Sequence, residues 1–126
     1  MERDTQLIGL RPSIIAEQGL QTAVEHFQNE TLRPILKWQN PLIIATFKHY
    51  CQKQKTAFVQ LSDQEKLLFI ENSLKKDTQI RRYFQGIVVG LFTVDELTRY
   101  FEEEDAINKR IIGLLIERLS SQRNVF

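Results

Sequence analysis

The sequence predicts an all-α fold, a compact bundle or orthogonal array of five to six helices. Three observations carry that expectation. Ser62-Asp63-Gln64-Glu65 and Thr93-Val94-Asp95-Glu96 have the pattern of a capping box, in which a hydroxyl accepts from the N3 amide and the glutamate reaches back to the N-cap amide. Apolar residues recur at steps of three and four along most of the chain. Gly (5) and Pro (3) are scarce among 126 residues, which leaves little material for the turns of an all-β fold.

Residues 1–17 read as an N-terminal arm. Leu7, Ile8, Leu10, Ile14 and Ile15 are apolar, but Gly9 and Pro12 interrupt a helix. The arm is therefore either disordered or laid across the body or a partner, and five apolar side chains favour docking. A single helical domain follows over residues 18–122. From Gly19 onward, Leu20, Val24, Phe27, Thr31, Ile35 and Trp38 keep one helix face. A neighbouring stripe of Leu32, Leu36, Ile43, Phe47 and Tyr50 continues past it. Pro34 and Pro41 each remove an amide donor and crowd the preceding turn. Asn40 before Pro41 also has the form of an N-cap with Pro at N1. The expectation is a kink near Pro34 and a break or kink near Pro41.

The next helix starts at Ser62, with Leu67, Ile70 and Leu74 inward. Asp77 can cap the one after it. There Ile80, Tyr83, Phe84, Ile87, Val88 and Leu91 stand at i, i+3, i+4, i+7, i+8 and i+11, the clearest amphipathic stripe in the chain. Gly90 suits its C-terminal stop. Gly86 lies inside it at a cost of about 1 kcal/mol relative to Ala, which a close helix crossing would justify. A further helix follows Thr93, with Phe92 and Leu97 placed as a hydrophobic staple. The last runs from about Asp105 to Ser120 with Ile107, Ile111, Leu114, Leu115 and Leu119 inward. Residues 123–126 form a polar, frayed C-terminal tail in which Val125 and Phe126 are able to dock.

A composition of 42% hydrophobic and 26% charged residues places the chain with globular rather than disordered proteins. Lys+Arg 17 against Asp+Glu 16 leaves a net charge of +1, so bulk attraction to nucleic acid or acidic membrane is excluded and only local patches remain. The single cysteine, Cys51, excludes an intramolecular disulfide. No apolar run reaches the roughly 18–20 residues of a membrane span, and no signal-peptide pattern opens the sequence. A reducing, cytoplasmic setting is expected.

Residues with the grammar of chemistry are few. His26 and Glu30, at i and i+4, make half a metal site at most, and the plainer reading is a surface histidine beside a carboxylate. His49 and Cys51 are two apart and point to different helix faces. Cys51 beside Phe47 packs as a small hydrophobe. No nucleophile elbow or Gly-rich phosphate loop occurs. Glu102-Glu103-Glu104-Asp105 reads as a solvated junction that puts negative charge at a helix start. The same run argues against a helix-turn-helix, because Glu104 and Asp105 would face phosphates. No catalytic residue, cofactor or metal is expected. Two polar clusters remain: Lys75, Lys76, Arg81 and Arg82 around the Asp77 cap, suited to a phosphate or an acidic partner, and Arg33, Lys37, Gln39 and Asn40 beside Trp38.

Thr31-Leu32-Arg33-Pro34-Ile35-Leu36-Lys37, then Gln39-Asn40, resembles the signature of a family of short uncharacterised all-helical bacterial proteins. Phe27-Gln28-Asn29, Leu61-Ser62, Lys76-Asp77, Gly86-Ile87, Gly90, Phe92-Thr93, Glu117-Arg118-Leu119 and Ser121-Gln122 extend the resemblance over about residues 25–122. Some members carry the label glyoxalase. Metal-dependent glyoxalases need strands and a His/Glu metal set, and this chain offers neither. The resemblance implies a fold and no reaction.

The leading functional expectation is a non-enzymatic interaction protein, a homodimer or the partner of another protein, associating through Leu32, Leu36 and Trp38. Two apolar stripes at different angles supply more apolar surface than one small core needs. The alternative is an anion or nucleic-acid binder using Lys75, Lys76, Arg81 and Arg82, with nucleic acid disfavoured by the charge balance. An enzyme ranks third.

Overall fold

A computed structural model describes residues 2–12 and 22–126. Every regular element among them is helical: α1 (Glu2–Leu10), α2 (Ala23–Phe27), a π turn (Gln28–Leu32), α3 (Arg33–Trp38), α4 (Asn40–Lys53), a 3₁₀ turn (Phe58–Gln60), α5 (Asp63–Lys76), α6 (Thr78–Val89), α7 (Val94–Glu102) and α8 (Glu104–Ser121). The segments α2, π turn and α3 form one unbroken rod, so the described residues hold seven helices rather than five or six. The additional one is α1. Gly9 does not interrupt it, and it stops before Pro12. The expected helix start near Gly19, and Ile14, Ile15 and Leu20, lie outside the described residues. The rod begins with Thr22 as N-cap, its hydroxyl accepting from the Glu25 amide at 3.1 Å.

The kink expected at Pro34 takes the form of the π turn. In an α-helix the Pro34 ring would press on the Glu30 carbonyl and leave it without a donor. The Arg33 amide instead reaches back five residues to the Gln28 carbonyl, and this wider turn makes room for the ring. The break near Pro41 is a single residue, Gln39, at φ −84° and ψ 2°. Asn40 is not the N-cap. It is the first residue of α4, and its side chain exchanges two hydrogen bonds of 2.8 Å with the Gln122 amide of α8.

The other caps follow the sequence. Ser62 and Thr93 each form a full capping box, with Glu65 and Glu96 returning to the cap amides. One oxygen of Asp77 accepts from the Gln79 and Ile80 amides. Gly90 ends α6 in the ordinary right-handed conformation. No crossing explains Gly86, where an added Cβ would meet nothing within 4 Å.

The rod packs against α4 and α8. Phe27, Asn29, Thr31, Leu32, Pro34, Ile35 and Leu36 are all buried, so the middle of both apolar stripes faces this chain's own core, while Val24 and Trp38 of the first stripe are partly exposed. Helices α5 and α8 pack along each other, and α6 packs on both. Ile107, Ile111, Leu114, Leu115 and Leu119 of α8 are buried as expected, but Tyr83 of the α6 stripe is exposed. Phe47 gathers one aromatic cluster, with Phe58, Phe69 and Phe126 at 5.6–6.0 Å. The tail is therefore pinned rather than frayed: Phe126 stacks on Phe58 at 5.2 Å, and Arg123 pairs with Asp63. A second cluster joins Phe27, Phe92 and Tyr100. No helix among the described residues is long and apolar enough to cross a membrane.

Among the described residues of the arm, the contacts to the body are made by charged side chains, and Ile14 and Ile15 lie outside those residues. No α1 residue is buried, and Ile8 and Leu10 are exposed. Arg3 donates to the Gly90 and Phe92 carbonyls, and Asp4 accepts from the Val94 amide. Arg11 makes a two-pronged contact with Glu96 at 2.7 and 2.5 Å and donates to the Leu91 carbonyl. The Thr31 hydroxyl and the Thr93 amide donate to the same carboxylate. Burial pushes the Glu96 carboxyl up, but its bonds from Arg11, Thr93 and Thr31 and the Arg11 charge outweigh this and hold it below its ordinary value.

Two outcomes follow. Gly86→Ala should raise stability by about 0.5–1 kcal/mol, because the methyl enters open space and the unfolded chain loses freedom. Urea denaturation checks this, and a loss of stability would mean that the site is closed. Glu96→Gln should cost about 2 kcal/mol at pH 7, the scale of hydrogen bonds to a charged group. A carboxyl held low in the fold stabilises fully above the unfolded value of about 4.3 and loses that contribution as pH falls through the folded value. The gap between wild type and Glu96→Gln in urea should therefore narrow from pH 7 to pH 3. A constant gap would show that the Glu96 charge is not what holds the network.

Candidate functional site

The residues singled out in the sequence do not form one surface. Leu32 and Leu36 are 0% and 1% exposed within the single chain, so neither is open to a partner. Trp38, at the end of α3, is partly exposed. In the basic cluster, Lys75 pairs with Glu71 at 2.7 Å, one helical turn away. The Arg81 guanidinium donates to the Lys75 carbonyl at 2.8 Å, closing the α5–α6 junction. Lys76 and Arg82 are exposed charges.

The other single residues stay apart. His26 and Glu30 are both exposed, and no group of three or more His, Cys, Asp or Glu capable of holding a metal occurs among the described residues. The residues Glu102 to Asp105 are exposed, with Glu104 and Asp105 in the first turn of α8. Cys51 is buried, and burial pushes its thiol up to about 11.

Two concavities stand out among the described residues. The larger, about 610 Å³, lies between α4 and the start of α6 and is lined by His49, Tyr50, Lys53, Asp77, Gln79 and Tyr83 among others. Its one carboxylate already has structural work: Asp77 caps α6 with one oxygen and accepts the Tyr50 phenol at 3.1 Å with the other. Burial, chiefly, raises that phenol above its ordinary value.

The smaller concavity, about 210 Å³, lies between α3 and α8. Arg33 and Leu36 form one wall, three residues apart on α3. Leu114, Glu117, Arg118, Ser121 and Gln122 form the other, at i, i+3, i+4, i+7 and i+8 of α8. The walls are aligned by polar ties. Arg110 donates to Gln28 at 3.2 Å, and Asn40 exchanges its pair of bonds with Gln122. The same twelve-residue interval separates the tied positions on both strands of this ladder, so the rod and α8 run side by side in the same direction.

The cleft holds two guanidinium groups from positions 85 residues apart. Arg33 is set by a bond from its Nε to the Asn29 side chain at 3.0 Å. Arg118 reaches Asn40 by a long bond of 3.4 Å. Among the described residues neither arginine takes part in an ion pair. Burial first, and then the Arg33 charge, lower the Arg118 guanidinium from its ordinary value, with Glu117 opposing. Like charges are thus held close in a partly desolvated place, the condition that favours a bound anion.

No family model, curated protein or solved structure matches the chain. The functional reading rests on the geometry of the cleft. Arg33 and Asn40 stood out in the sequence as a polar stretch, but Arg118 did not. Its signal was the polar stripe Glu117, Arg118, Ser121 and Gln122 at helical spacing beside Leu114.

The Cys51 environment makes a direct expectation. With the thiol at about 11, only about one molecule in ten thousand carries thiolate at pH 7. A thiol-specific disulfide reagent should label native protein far more slowly than a free thiol and urea-unfolded protein rapidly. Fast, stoichiometric labelling of the native state would show that the thiol is accessible and activated.

Proposed function

We propose that the protein is a non-enzymatic binding module that holds a small anionic group between Arg33 and Arg118. One observation supports this above the rest: two guanidinium groups share a partly buried cleft with no ion pair to either among the described residues. Their planar forks suit the oxygens of a carboxylate or phosphate. The cleft replaces the Lys75, Lys76, Arg81 and Arg82 cluster as the place of binding, because Lys75 and Arg81 are engaged within the fold. Leu32 and Leu36 are covered inside one chain, so of the three residues expected at a homodimer contact only Trp38 offers surface to a second copy.

Thermal-shift and calorimetric titrations with inorganic phosphate and with succinate, at low ionic strength and pH 7, test the reading. A ligand at a hundred times its dissociation constant stabilises the fold by about 2.7 kcal/mol. Wild type should gain melting temperature with at least one probe, and the gain should shrink as salt is added. Arg118→Gln and Arg33→Gln should each weaken binding about 10- to 100-fold. Arg118→Gln should not destabilise the unliganded protein, because it gives up only a long bond to Asn40 and relieves the repulsion between the pair, whereas Arg33→Gln also removes the donor to the buried Asn29 side chain. A response that survives in the double variant, or no response to phosphate, to succinate or to their amino-bearing counterparts, would overturn the reading.

A further inference from the structure

The cleft carries a third charge that a site for a bare anion would not need. Glu117 lines it one position from Arg118, is exposed, and forms no ion pair among the described residues. Its charge acts on Arg118 in the direction opposite to that of Arg33. Against a simple phosphate or dicarboxylate, Glu117 is repulsive. Against a ligand that also bears an ammonium group, it becomes an attraction, so it selects as well as binds.

We infer that the ligand is a small amino-bearing dianion: two negative charges for Arg33 and Arg118, one ammonium for Glu117, and a short methylene chain between them. The inference rests on the anion-binding reading of the same cleft. Charge supports it first, since the three side chains sum to one net positive charge and such a ligand carries one net negative charge. Shape supports it second. Leu114, beside the covered Leu36 in the lining, gives the cleft an apolar element against which a short hydrocarbon linker can lie. A volume of about 210 Å³ gives room for a group of amino-acid size. Two chemical sources share this pattern, an acidic amino acid and an aminoalkyl phosphate.

Calorimetry with two matched pairs tests the proposal: glutamate against glutarate, and phosphoethanolamine against ethyl phosphate. The amino-bearing member of at least one pair should bind wild type about tenfold more tightly than its amine-free partner. The pair that shows the preference identifies the anionic head as carboxylate or phosphate. Glu117→Gln, an exchange at an exposed position, should abolish the preference while leaving the amine-free member bound at least as tightly. Equal affinity within both pairs, or a preference that survives Glu117→Gln, overturns the proposal and leaves the anion-binding reading standing. Absence of binding by all four compounds and by inorganic phosphate overturns both.

Discussion

The carboxylate of Glu96 is the point on which the N-terminal half of this molecule depends. It closes the capping box of α7, accepts from Thr31 in the π turn and receives both prongs of Arg11. Three segments that share little sequence proximity are thereby tied to two oxygen atoms. The pair is mostly covered, with side-chain exposures of 7% for Arg11 and 16% for Glu96. A covered ion pair is a costly device unless its remaining hydrogen bonds are filled. Here Thr31 and the Thr93 amide fill the acid's side. Helix α1 has no buried residue, so charge and backbone carbonyls do there what hydrophobic contact does elsewhere in the fold.

At the other end of the rod the tie is neutral. The reciprocal Asn40–Gln122 amide pair joins the first turn of α4 to the end of α8. It sits beside Arg118 and presents amide groups in place of carboxylates. Had either position been acidic, the Arg118 charge would have been neutralised from within. The choice of amides keeps the fold closed and leaves the guanidinium charge uncompensated. Fold and site thus make compatible demands on the same few residues.

Much of the fold was legible because its signals are local. Ser62, Asp77 and Thr93 cap the helices they mark, and the buried face of α8 is the one its spacing implies. A cap needs only three or four neighbouring residues to be recognised. What escaped depends on distant partners. Asn40 has the form of an N-cap, but Gln122, 82 residues on, claims its side chain. Residues 2–10 have weak helical patterning, and their docking is set by carbonyls near residue 90 that the arm's own sequence does not reveal. The second apolar stripe of the rod seemed to call for a partner chain because the rod's surroundings were unknown. Arg118 was hidden for the same reason: a lone arginine on a polar face has no meaning until Arg33 stands opposite.

The π turn at Gln28–Leu32 has a geometric consequence for heredity as well as for packing. A turn that spans five residues instead of four acts as a one-residue insertion held within a helix. Everything after it is rotated by about 100° relative to the α-helical phase set by Phe27. That rotation sets where Arg33, Leu36 and Asn40 point. Loss of a single residue from this turn would remove the room it makes for the Pro34 ring and swing the α3 wall away from α8. The length of the rod between Phe27 and Arg33 cannot drift without dismantling the cleft.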